Sequence, residues 1–289
     1  MQEVPTVSIV IVNWNTRDLL KRCVQSVYAR VPPVSFEVIV IDNASEDHSA
    51  NMVETSFPQA KLILSKSNLG FAAGNNLGLR RACGRYMMLL NSDAELTDGA
   101  VARMIAFMES HPDAGLIGPK LLSPDGTLQI NGQRFPTFFR EMLGVLRMPR
   151  FFPSLAKLGW GRGDFDSSAE VDALAGACML VRKEAVDSVG LLDERFFMYF
   201  EDVDWCYRIK KAGWKIWYIG EVEVIHGWAQ SALIQGIVKS ESMLHRSRYL
   251  YFRKHHGPIQ GALIGLVSGM VNVAFAFKYR NYAPAGRLS

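Results

Sequence analysis

The stretch Val7-Ser8-Ile9-Val10-Ile11-Val12 is a strand-like run rich in β-branched residues, and a second run, Glu37-Val38-Ile39-Val40-Ile41, follows about one helix length later. Short runs of this composition are typical of buried strands. Residues 17–29, which lie between them, have the spacing of a helix. Together the three segments predict a β-α-β unit whose strands lie parallel in one sheet.

The alternation of strand and helix continues to residue 90. We predict a short helix at residues 47–56, a strand at 61–64, a helix at 72–83 and a strand at 86–90. These elements indicate an α/β fold in which helices flank a mostly parallel, Rossmann-like central sheet. Ligands of such folds bind beyond the carboxyl ends of the strands.

The second half of the chain is less regular. Its pattern predicts a helix at residues 98–110, an extended segment at 115–129 with a turn at 124–126, and a strand at 171–181. A helix at 202–212 follows, then two strand-like runs within 214–225 that separate near Gly220, and a helix within 231–253.

Composition sets broad limits on the protein. The chain has 289 residues, 49% of them hydrophobic, which is enough for one large core and an appendage. The net charge of +4 is modest, and we expect no nucleic-acid partner. The charge is unevenly spread, because residues 134–162 hold six Arg and Lys against the single acid Glu141. The four cysteines show no pairing pattern and no signal peptide is visible, so we expect a reduced, cytoplasmic setting.

Residues 259–277, IQGALIGLVSGMVNVAFAF, contain no charged residue and are about as long as a bilayer core is thick. Basic residues flank them on both sides, at 253–256 and at Lys278 and Arg280. Two interpretations stay open at this point. The segment is either a buried core helix or a membrane-associated helix that spans the bilayer or lies flat on an anionic surface.

A polar cluster follows each of the first four predicted strands. The residues of interest in these clusters are Asn13, Asn15, Asp42, Asn68, Gly70, Asn91, Ser92 and Asp93. Each cluster alone is explained by a turn, but four that meet at one sheet edge predict a nucleotide site. Neither GxGxxG nor GxxxxGK[ST] follows the first strand, which removes the main support for a dinucleotide dehydrogenase or a P-loop enzyme.

The clusters belong to a series of motifs that occur in a fixed order. The series is VSIVIVNWN, VIVIDNAS, NLGFAAGNN, LLNSD, GACMLVRK, FFMYFEDVDWCYR and VIHGW. It resembles the family-2 glycosyltransferases of GT-A fold, especially their rhamnosyltransferase-like branch, from Val7 to about His226. The resemblance implies a GT-A domain at residues 1–230, with a nucleotide-sugar-binding half at 1–115 and an acceptor-binding half at 116–230. Residues 231–289 would form a C-terminal helical, membrane-associated segment.

The resemblance also implies roles for the residues at the strand ends. Asp42 stands where the family places the carboxylate that contacts the nucleotide base, and Asn13 and Asn15 line the same edge. Asn68 and Gly70 fall in the loop near the nucleotide, where glycine would let the backbone approach the ligand.

A divalent cation is the implied cofactor. Asp93 occupies the last position of a DxD-type metal motif, with Asn91 in place of the first Asp and Ser92 between them. His226 resembles the family histidine that approaches the metal or the diphosphate. Mn²⁺ or Mg²⁺ would neutralise the charge of the leaving diphosphate, and an imidazole ligand favours Mn²⁺.

The predicted catalytic residues lie in the motif YFEDVDW. Asp202 resembles the family's catalytic base, which takes the proton of the acceptor hydroxyl, with Glu201 as its neighbour and an acceptor contact. A base opposite the leaving diphosphate implies inversion of the anomeric carbon. Helical spacing directs Asp204 away from Asp202, and its role stays open.

Residues for the acceptor are harder to identify. Gly176 and Ala177 leave room beside the donor sugar, and Trp205 or Trp228 would stack on a sugar face, although each tryptophan also suits a core. The basic and apolar segments described above together suggest a membrane surface, where a lipid-linked acceptor would be reached.

The resemblance therefore implies an inverting, metal-dependent glycosyltransferase that transfers a sugar, with L-rhamnose from dTDP-L-rhamnose as the expected donor, to a lipid-linked or polysaccharide acceptor in cell-surface glycan biosynthesis. It would work at the cytoplasmic face of the plasma membrane. A UDP-sugar donor is one alternative. A sugar-1-phosphate nucleotidyltransferase would carry a glycine-rich loop after the first strand, and NWNTRDLLKRC has no glycine. A non-catalytic nucleotide-sugar binder is opposed by the presence of Asp93, Asp202 and His226.

Overall fold

The computed structural model of the protein describes residues 4–31, 33–146, 165–227 and 237–279. Within these residues ten strands form a single sheet. They are β1 (Val7–Asn13), β2 (Phe36–Asp42), β3 (Lys61–Leu64), β4 (Tyr86–Asn91), β5 (Ala94–Leu96), β6 (Ala114–Leu122), β7 (Leu128–Gln129), β8 (Ala169–Glu170), β9 (Cys178–Arg182) and β10 (Lys215–His226).

The sheet is mixed. Strands β3, β2, β1 and β4 are parallel neighbours in that order, and β9 then runs antiparallel between β4 and β6. Strand β10 is parallel to β6 and antiparallel to β5 at the far edge. In register, Asn13 lies beside Asp42 and Val12 lies beside Asn91. The carboxyl ends of β1, β2 and β4 therefore meet at one edge of the sheet.

Helices cover both faces of this sheet. They are α1 (Arg17–Arg30), α2 (Ser49–Ser56), α3 (Gly70–Leu79), α4 (Ala100–Ser110), α5 (Phe138–Val145), α6 (Lys183–Val189), α7 (Glu201–Lys211), α8 (Ile237–His255) and α9 (Pro258–Tyr279). Along β1, Ile9 and Ile11 pack in the apolar cluster that includes α1, α2 and α4. Val10 packs in the opposite cluster, which includes α3, α6 and α7. Burial on both faces explains why the strand is apolar throughout.

The predicted α/β architecture is confirmed, and the elements up to residue 91 lie close to their predicted bounds. Helix α3 ends at Leu79 rather than at residue 83. One reason is that the backbone N–H of Cys83 donates to Glu37 Oε1 instead of continuing the helix. The short elements β5, β8, α5 and α6 were not predicted.

Two predictions for the second half are wrong. The strand predicted at residues 171–181 begins only at Cys178. The residues before Cys178 form hydrogen bonds outside the main strand ladder; for example, the N–H of Ala175 donates to Asn131 Oδ1. The two runs predicted within 214–225 form one strand, β10. A register shift between Ile219 and Glu223 absorbs the irregularity around Gly220, which is a β-bulge rather than a break.

The C-terminal helices share a core with the preceding residues. Tyr251 and Phe252 of α8 and Ile264 of α9 belong to the same apolar cluster as α7. The division of the chain at residue 230 stays a prediction. Across the described parts of the chain, no helix has the length and hydropathy needed to cross a bilayer.

Candidate active site

The carboxyl ends of β1 and β2 bring the first predicted nucleotide residues together. Asn13 Nδ2 donates to Ser45 Oγ at 3.0 Å and approaches Asp42 Oδ1 at 3.4 Å. Asp42 Oδ2 accepts from the backbone N–H of Ser45 at 3.1 Å. Asn13 and Asp42 are both buried, so this end of the site is a fixed set of amide and carboxylate groups.

Asn15 holds the loop that follows β2. Its φ is +52°, in the left-handed region that asparagine tolerates better than most residues. Its Oδ1 accepts from the N–H of Glu46 at 2.7 Å, and its own N–H donates to Ser45 Oγ at 3.0 Å. These bonds account for asparagine at this position, and its contact with a nucleotide stays a prediction.

The loop before α3 is tied to the one after β2 through Asn43, which the sequence analysis did not single out. Asn43 Nδ2 donates to Asn68 Oδ1 at 3.0 Å, and Asn68 Oδ1 also accepts from the N–H of Gly70 at 2.9 Å. Gly70 has a φ of +82°, and a Cβ there would lie 2.3 Å from the carbonyl oxygen of Phe197. The absence of a side chain at Gly70 thus lets the loop that precedes α7 pack against it. The approach of the Gly70 backbone to a ligand stays a prediction.

Ser92 links the end of β4 to the end of β1. Its Oγ lies 2.8 Å from Thr16 Oγ1, and Thr16 Oγ1 donates to Asn13 Oδ1 at 2.6 Å. This chain of hydrogen bonds connects the predicted metal motif with the predicted base-binding end. Thr16 carried no signal in the sequence, because its partners are brought together only by the sheet.

Asp93 and His226 are far apart in the sequence but meet in the structure, because β5 pairs antiparallel with β10 and sets Ala94 opposite His226. Asp93 Oδ1 lies 3.3 Å from His226 Nε2, and Asn91 Nδ2 lies 3.2 Å from the same nitrogen. The side chains of Asp93 and His226 are 8% and 10% exposed. The structure therefore gathers the three residues that the motifs assigned to metal and diphosphate.

The donor set at this point suits a divalent cation. Two ligand atoms that each lie about 2.1 Å from one ion at right angles are roughly 3 Å apart, close to the separation of Asp93 Oδ1 and His226 Nε2. The described residues contain no group of three or more His, Cys, Asp or Glu side chains placed to hold a metal. The two residues fit as part of a coordination shell that a ligand such as a diphosphate would complete.

Asp202 lies in the first turn of α7, after Tyr199 and Phe200, which both have positive φ. Its Oδ2 accepts from the N–H of Gly176 at 3.0 Å, and its Oδ1 accepts from the N–H of Val203 at 2.8 Å. Burial raises the pKa of the Asp202 carboxyl, and these backbone hydrogen bonds only partly oppose the shift. A raised pKa makes the carboxylate a better proton acceptor near neutral pH.

Glu201 is 4% exposed, and its Oε2 is buried without a hydrogen-bond partner among the described residues. Burial raises the pKa of the Glu201 carboxyl well above its ordinary value, and the charges of Asp202 and Asp204 add to the shift. Two adjacent carboxyls with little access to water rarely carry two charges. Asp202 accepts from two backbone N–H groups whereas Glu201 Oε2 has no partner among the described residues, so a single negative charge is better stabilised on Asp202.

Residues 176 and 177 connect this carboxyl pair to the metal motif. The N–H of Gly176 holds Asp202, and the carbonyl of Ala177 accepts from the N–H of Asn91 at 2.9 Å. The Ala177 side chain is buried, so its contribution comes from the backbone. A Cβ on Gly176 would lie 3.0 Å from the Phe71 ring, so a larger residue would require this ring to shift.

Trp205 occupies a core position. It is fully buried, and its Nε1 donates to the carbonyl of Gly190 at 2.9 Å. The prediction that it stacks on a sugar is therefore wrong, because its place on the inner face of α7 is a core position. Trp228 lies outside the described residues.

Asp204 joins α7 to α8. Its carboxylate is fully buried and contacts Arg208 at 2.9 Å, Lys254 at 2.6 Å and His255 at 2.7 Å. Although burial alone would raise it, hydrogen bonds from His255 and Lys254 hold the pKa of Asp204 below its ordinary value. The side chain faces away from the bonds that Asp202 makes, as the helical spacing predicts.

Known proteins share the sequence pattern and the fold of this chain. The family model "Glycosyl transferase family 2" matches residues 8–190. The chain is 27% identical over 274 residues to an N-acetylglucosaminyl-diphospho-decaprenol L-rhamnosyltransferase of Mycobacterium tuberculosis, covering 86% of this chain and 84% of that protein. It is 28% identical to a low-salt glycan biosynthesis hexosyltransferase of Haloferax volcanii, covering 96% of this chain and 88% of the relative.

Among solved structures, the fold is similar to that of a mannosyltransferase from Pyrobaculum calidifontis in complex with GDP-Man and Mn²⁺. The TM-score is 0.60 at 15% identity, with 99% of this chain and 77% of the other covered. This likeness supports the predicted GT-A fold. With the family match and the curated relatives, it establishes that the chain belongs to glycosyl transferase family 2 and is a glycosyltransferase of GT-A fold.

Proposed function

We propose that the protein transfers L-rhamnose from dTDP-L-rhamnose, with inversion, to a lipid-linked glycan acceptor in cell-surface glycan biosynthesis. The observation that carries the proposal is the link through Gly176 and Ala177, which sets the carboxylate of Asp202 beside the strand end that holds Asn91. Two backbone hydrogen bonds thus connect the proposed proton acceptor to the proposed diphosphate site. The name of the mycobacterial relative supplies the sugar and the class of acceptor.

The donor would lie along the strand ends. Asp42, which Asn13 and Ser45 hold by hydrogen bonds, would present its carboxylate to the base, and Ser92 and Asn91 would lie toward the diphosphate. Asp93 and His226 would hold Mn²⁺ or Mg²⁺, which neutralises charge on the departing diphosphate when bound.

The chain's own carboxyls divide the acceptor chemistry between them. Asp202 accepts the proton of the attacking hydroxyl as that oxygen bonds to the anomeric carbon and the bond to the diphosphate breaks. Glu201, which keeps its proton, donates a hydrogen bond to an acceptor oxygen. Attack from the side opposite the diphosphate gives the inverted product.

A transfer assay tests this proposal. Purified protein is incubated with Mn²⁺, a polyprenyl-diphosphate-linked sugar and, in separate reactions, dTDP-L-rhamnose or a UDP-sugar, and the anomeric configuration of the product is determined by NMR. We expect an inverted rhamnosyl product, and none from Asp202→Asn. Turnover of UDP-sugars alone would refute the assignment of the donor, and a retained configuration would refute the mechanism.

We further propose that the enzyme works at the cytoplasmic face of the plasma membrane, with α9 lying flat on the lipid surface. One face of α9 packs on the protein through Ile264, whereas Ile259, Leu263, Leu266 and Met270 form an exposed apolar stripe, each at least 47% exposed. These positions recur with helical spacing, as in helices that bind membrane interfaces.

Exposed basic residues lie on the neighbouring helix. Gly261 of α9 packs directly on the backbone of Arg253, and Arg253 and Arg246 are exposed two turns apart on α8. An apolar stripe on one helix, with exposed arginines on the helix next to it, would suit an anionic bilayer, where lipid-linked acceptors reside. The basic segment at residues 147–162 lies outside the described residues.

Cosedimentation with vesicles tests this location. We expect the protein to bind vesicles of phosphatidylglycerol and phosphatidylcholine better than vesicles of phosphatidylcholine alone. The double variant Leu263→Glu, Leu266→Glu should lose binding, whereas Leu64→Glu, at an equally exposed leucine on β3, should not. Equal binding by all three proteins would show that α9 is not the docking surface.

A further inference from the structure

Gln129, at the end of the two-residue strand β7, has no place in the motifs, yet its side chain contacts His226 twice. Gln129 Oε1 lies 2.7 Å from His226 Nδ1, and Gln129 Nε2 donates to the backbone carbonyl of His226 at 2.7 Å. Its Nε2 also donates to Ser123 Oγ at 2.9 Å. Gln129 is 6% exposed, so these three bonds use both hydrogens of a buried amide and its oxygen.

The two contacts determine where the imidazole carries its hydrogen. A backbone carbonyl only accepts hydrogen bonds, so the amide nitrogen of Gln129 must face it. The amide oxygen then faces His226 Nδ1, and because that oxygen also only accepts, Nδ1 must be the protonated nitrogen. A neutral imidazole with a hydrogen on Nδ1 has its lone pair on Nε2.

His226 Nε2 is the atom that faces the predicted metal motif. It lies 3.3 Å from Asp93 Oδ1 and 3.2 Å from Asn91 Nδ2, whose N–H can donate to the nitrogen lone pair. An imidazole with the opposite tautomer would present a hydrogen to this position and could not coordinate a cation through Nε2.

We infer that Gln129 is a positioning residue that fixes His226 in the tautomer with a hydrogen on Nδ1, so that the Nε2 lone pair faces Asp93. The tautomer of His226 follows from contacts within the chain alone. Only the binding of a metal ion by the Nε2 lone pair rests on the proposed function. Loss of a residue that orients a metal-binding histidine weakens metal affinity by about 10- to 100-fold.

NMR of the metal-free protein reads the tautomer directly. Two-bond ¹H–¹⁵N correlation spectra at about pH 8, where ordinary imidazoles are neutral, distinguish a protonated Nδ1 from a protonated Nε2. The signals of His226 are those that disappear in His226→Asn. We expect a hydrogen on Nδ1 in the wild type and a mixture of tautomers in Gln129→Leu, which removes the acceptor.

Two further variants separate positioning from a merely structural role. Gln129→Glu keeps an oxygen that accepts from Nδ1 but removes the donor to the carbonyl, so it should preserve the tautomer even if it lowers stability. Ser123→Ala removes the third bond of the amide and leaves both contacts with His226, so it should also preserve the tautomer. A hydrogen on Nε2 in the wild type, or an unchanged tautomer in Gln129→Leu, would overturn the inference.

Titration with Mn²⁺ in the presence of dTDP supplies the second readout. Gln129→Leu should bind Mn²⁺ about 10- to 100-fold more weakly than the wild type, and Gln129→Glu should lose less. If the wild type has the expected tautomer but binds no Mn²⁺ with dTDP, the role of Gln129 toward His226 stands and the metal site of the proposed function fails.

Discussion

The backbone N–H of Gly176 donates to Asp202 Oδ2 at 3.0 Å, and the carbonyl of the next residue, Ala177, accepts from Asn91 at 2.9 Å. Cys178, which follows, pairs with Leu90 in the ladder between β9 and β4. The turn that leads into β9 therefore joins Asp202 to the strand end that holds Asn91. If these residues have the proposed roles, such fixed placement would lower the entropic cost of bringing the reacting groups together.

The first prediction concerns the base. Asp202→Asn should lower the rate of transfer by about 10²- to 10⁴-fold, because an amide cannot take the proton of the acceptor. Binding of dTDP should persist, since the amide oxygen can still accept from Gly176. The measurement is single-turnover transfer, with Asp18→Asn, at an exposed carboxylate of α1, as the matched control. A rate within a few-fold of the wild type would assign the base to another group.

The second prediction concerns pH. The pKa of Glu201 is raised in the folded protein, whereas an unfolded chain ionises this group near about pH 4.3. Above that pH the unfolded state loses its proton first, so ionisation of Glu201 progressively lowers the free energy of unfolding until the raised pKa is reached. Glu201→Gln removes this effect. Relative to the wild type, the variant should gain stability as pH rises, by at most about 1.4 kcal/mol per pH unit for one proton.

Urea denaturation of both proteins between about pH 4 and pH 8 measures this difference. The two curves of stability against pH should diverge with rising pH. Parallel curves would mean that Glu201 is ionised in the folded state, contrary to its buried position and its unpartnered Oε2.

The third prediction concerns the link between α7 and α8. Asp204→Asn leaves the charges of Arg208 and Lys254 without their buried partner, and it should lower the free energy of unfolding by about 3–5 kcal/mol. The exposed pair of Lys183 and Asp187 provides the control, because Asp187→Asn there should cost at most about 1 kcal/mol. Similar losses in the two variants would show that the buried cluster does not stabilise the C-terminal helices.

The fourth prediction concerns Gly70. Gly70→Ala introduces both a side chain at a φ of +82° and a contact of 2.3 Å with the Phe197 carbonyl, so it should destabilise by more than about 1 kcal/mol. Gly213 has a φ of +94° and open space around it, so Gly213→Ala tests the backbone strain alone. Thermal unfolding compares the two. If Gly70→Ala is no worse than Gly213→Ala, the close packing of the Phe197 loop is not required.

Sequence order was enough to predict the strand ends and the residues on them, because β-α-β alternation places those ends at one edge. The meeting of Asp93 with His226 was predictable only through family resemblance, since it depends on the pairing of β5 with β10. Gln129 and Thr16 gave no signal, because each acts through a partner from a distant segment. The prediction that Trp205 stacks on a sugar was wrong because the sequence of an amphipathic helix does not show whether an aromatic residue packs in the core or faces a ligand.

The most direct test of the proposed site is calorimetric titration of Mn²⁺ into the protein without and with saturating dTDP. As proposed, Asp93 and His226 would supply only part of a coordination shell, so we expect weak binding without nucleotide and binding at least about tenfold tighter with it, a coupling that must be reciprocal. Asp93→Asn should abolish the tight phase. Tight binding of Mn²⁺ to the nucleotide-free protein, or an affinity that dTDP does not change, would contradict the proposed metal site.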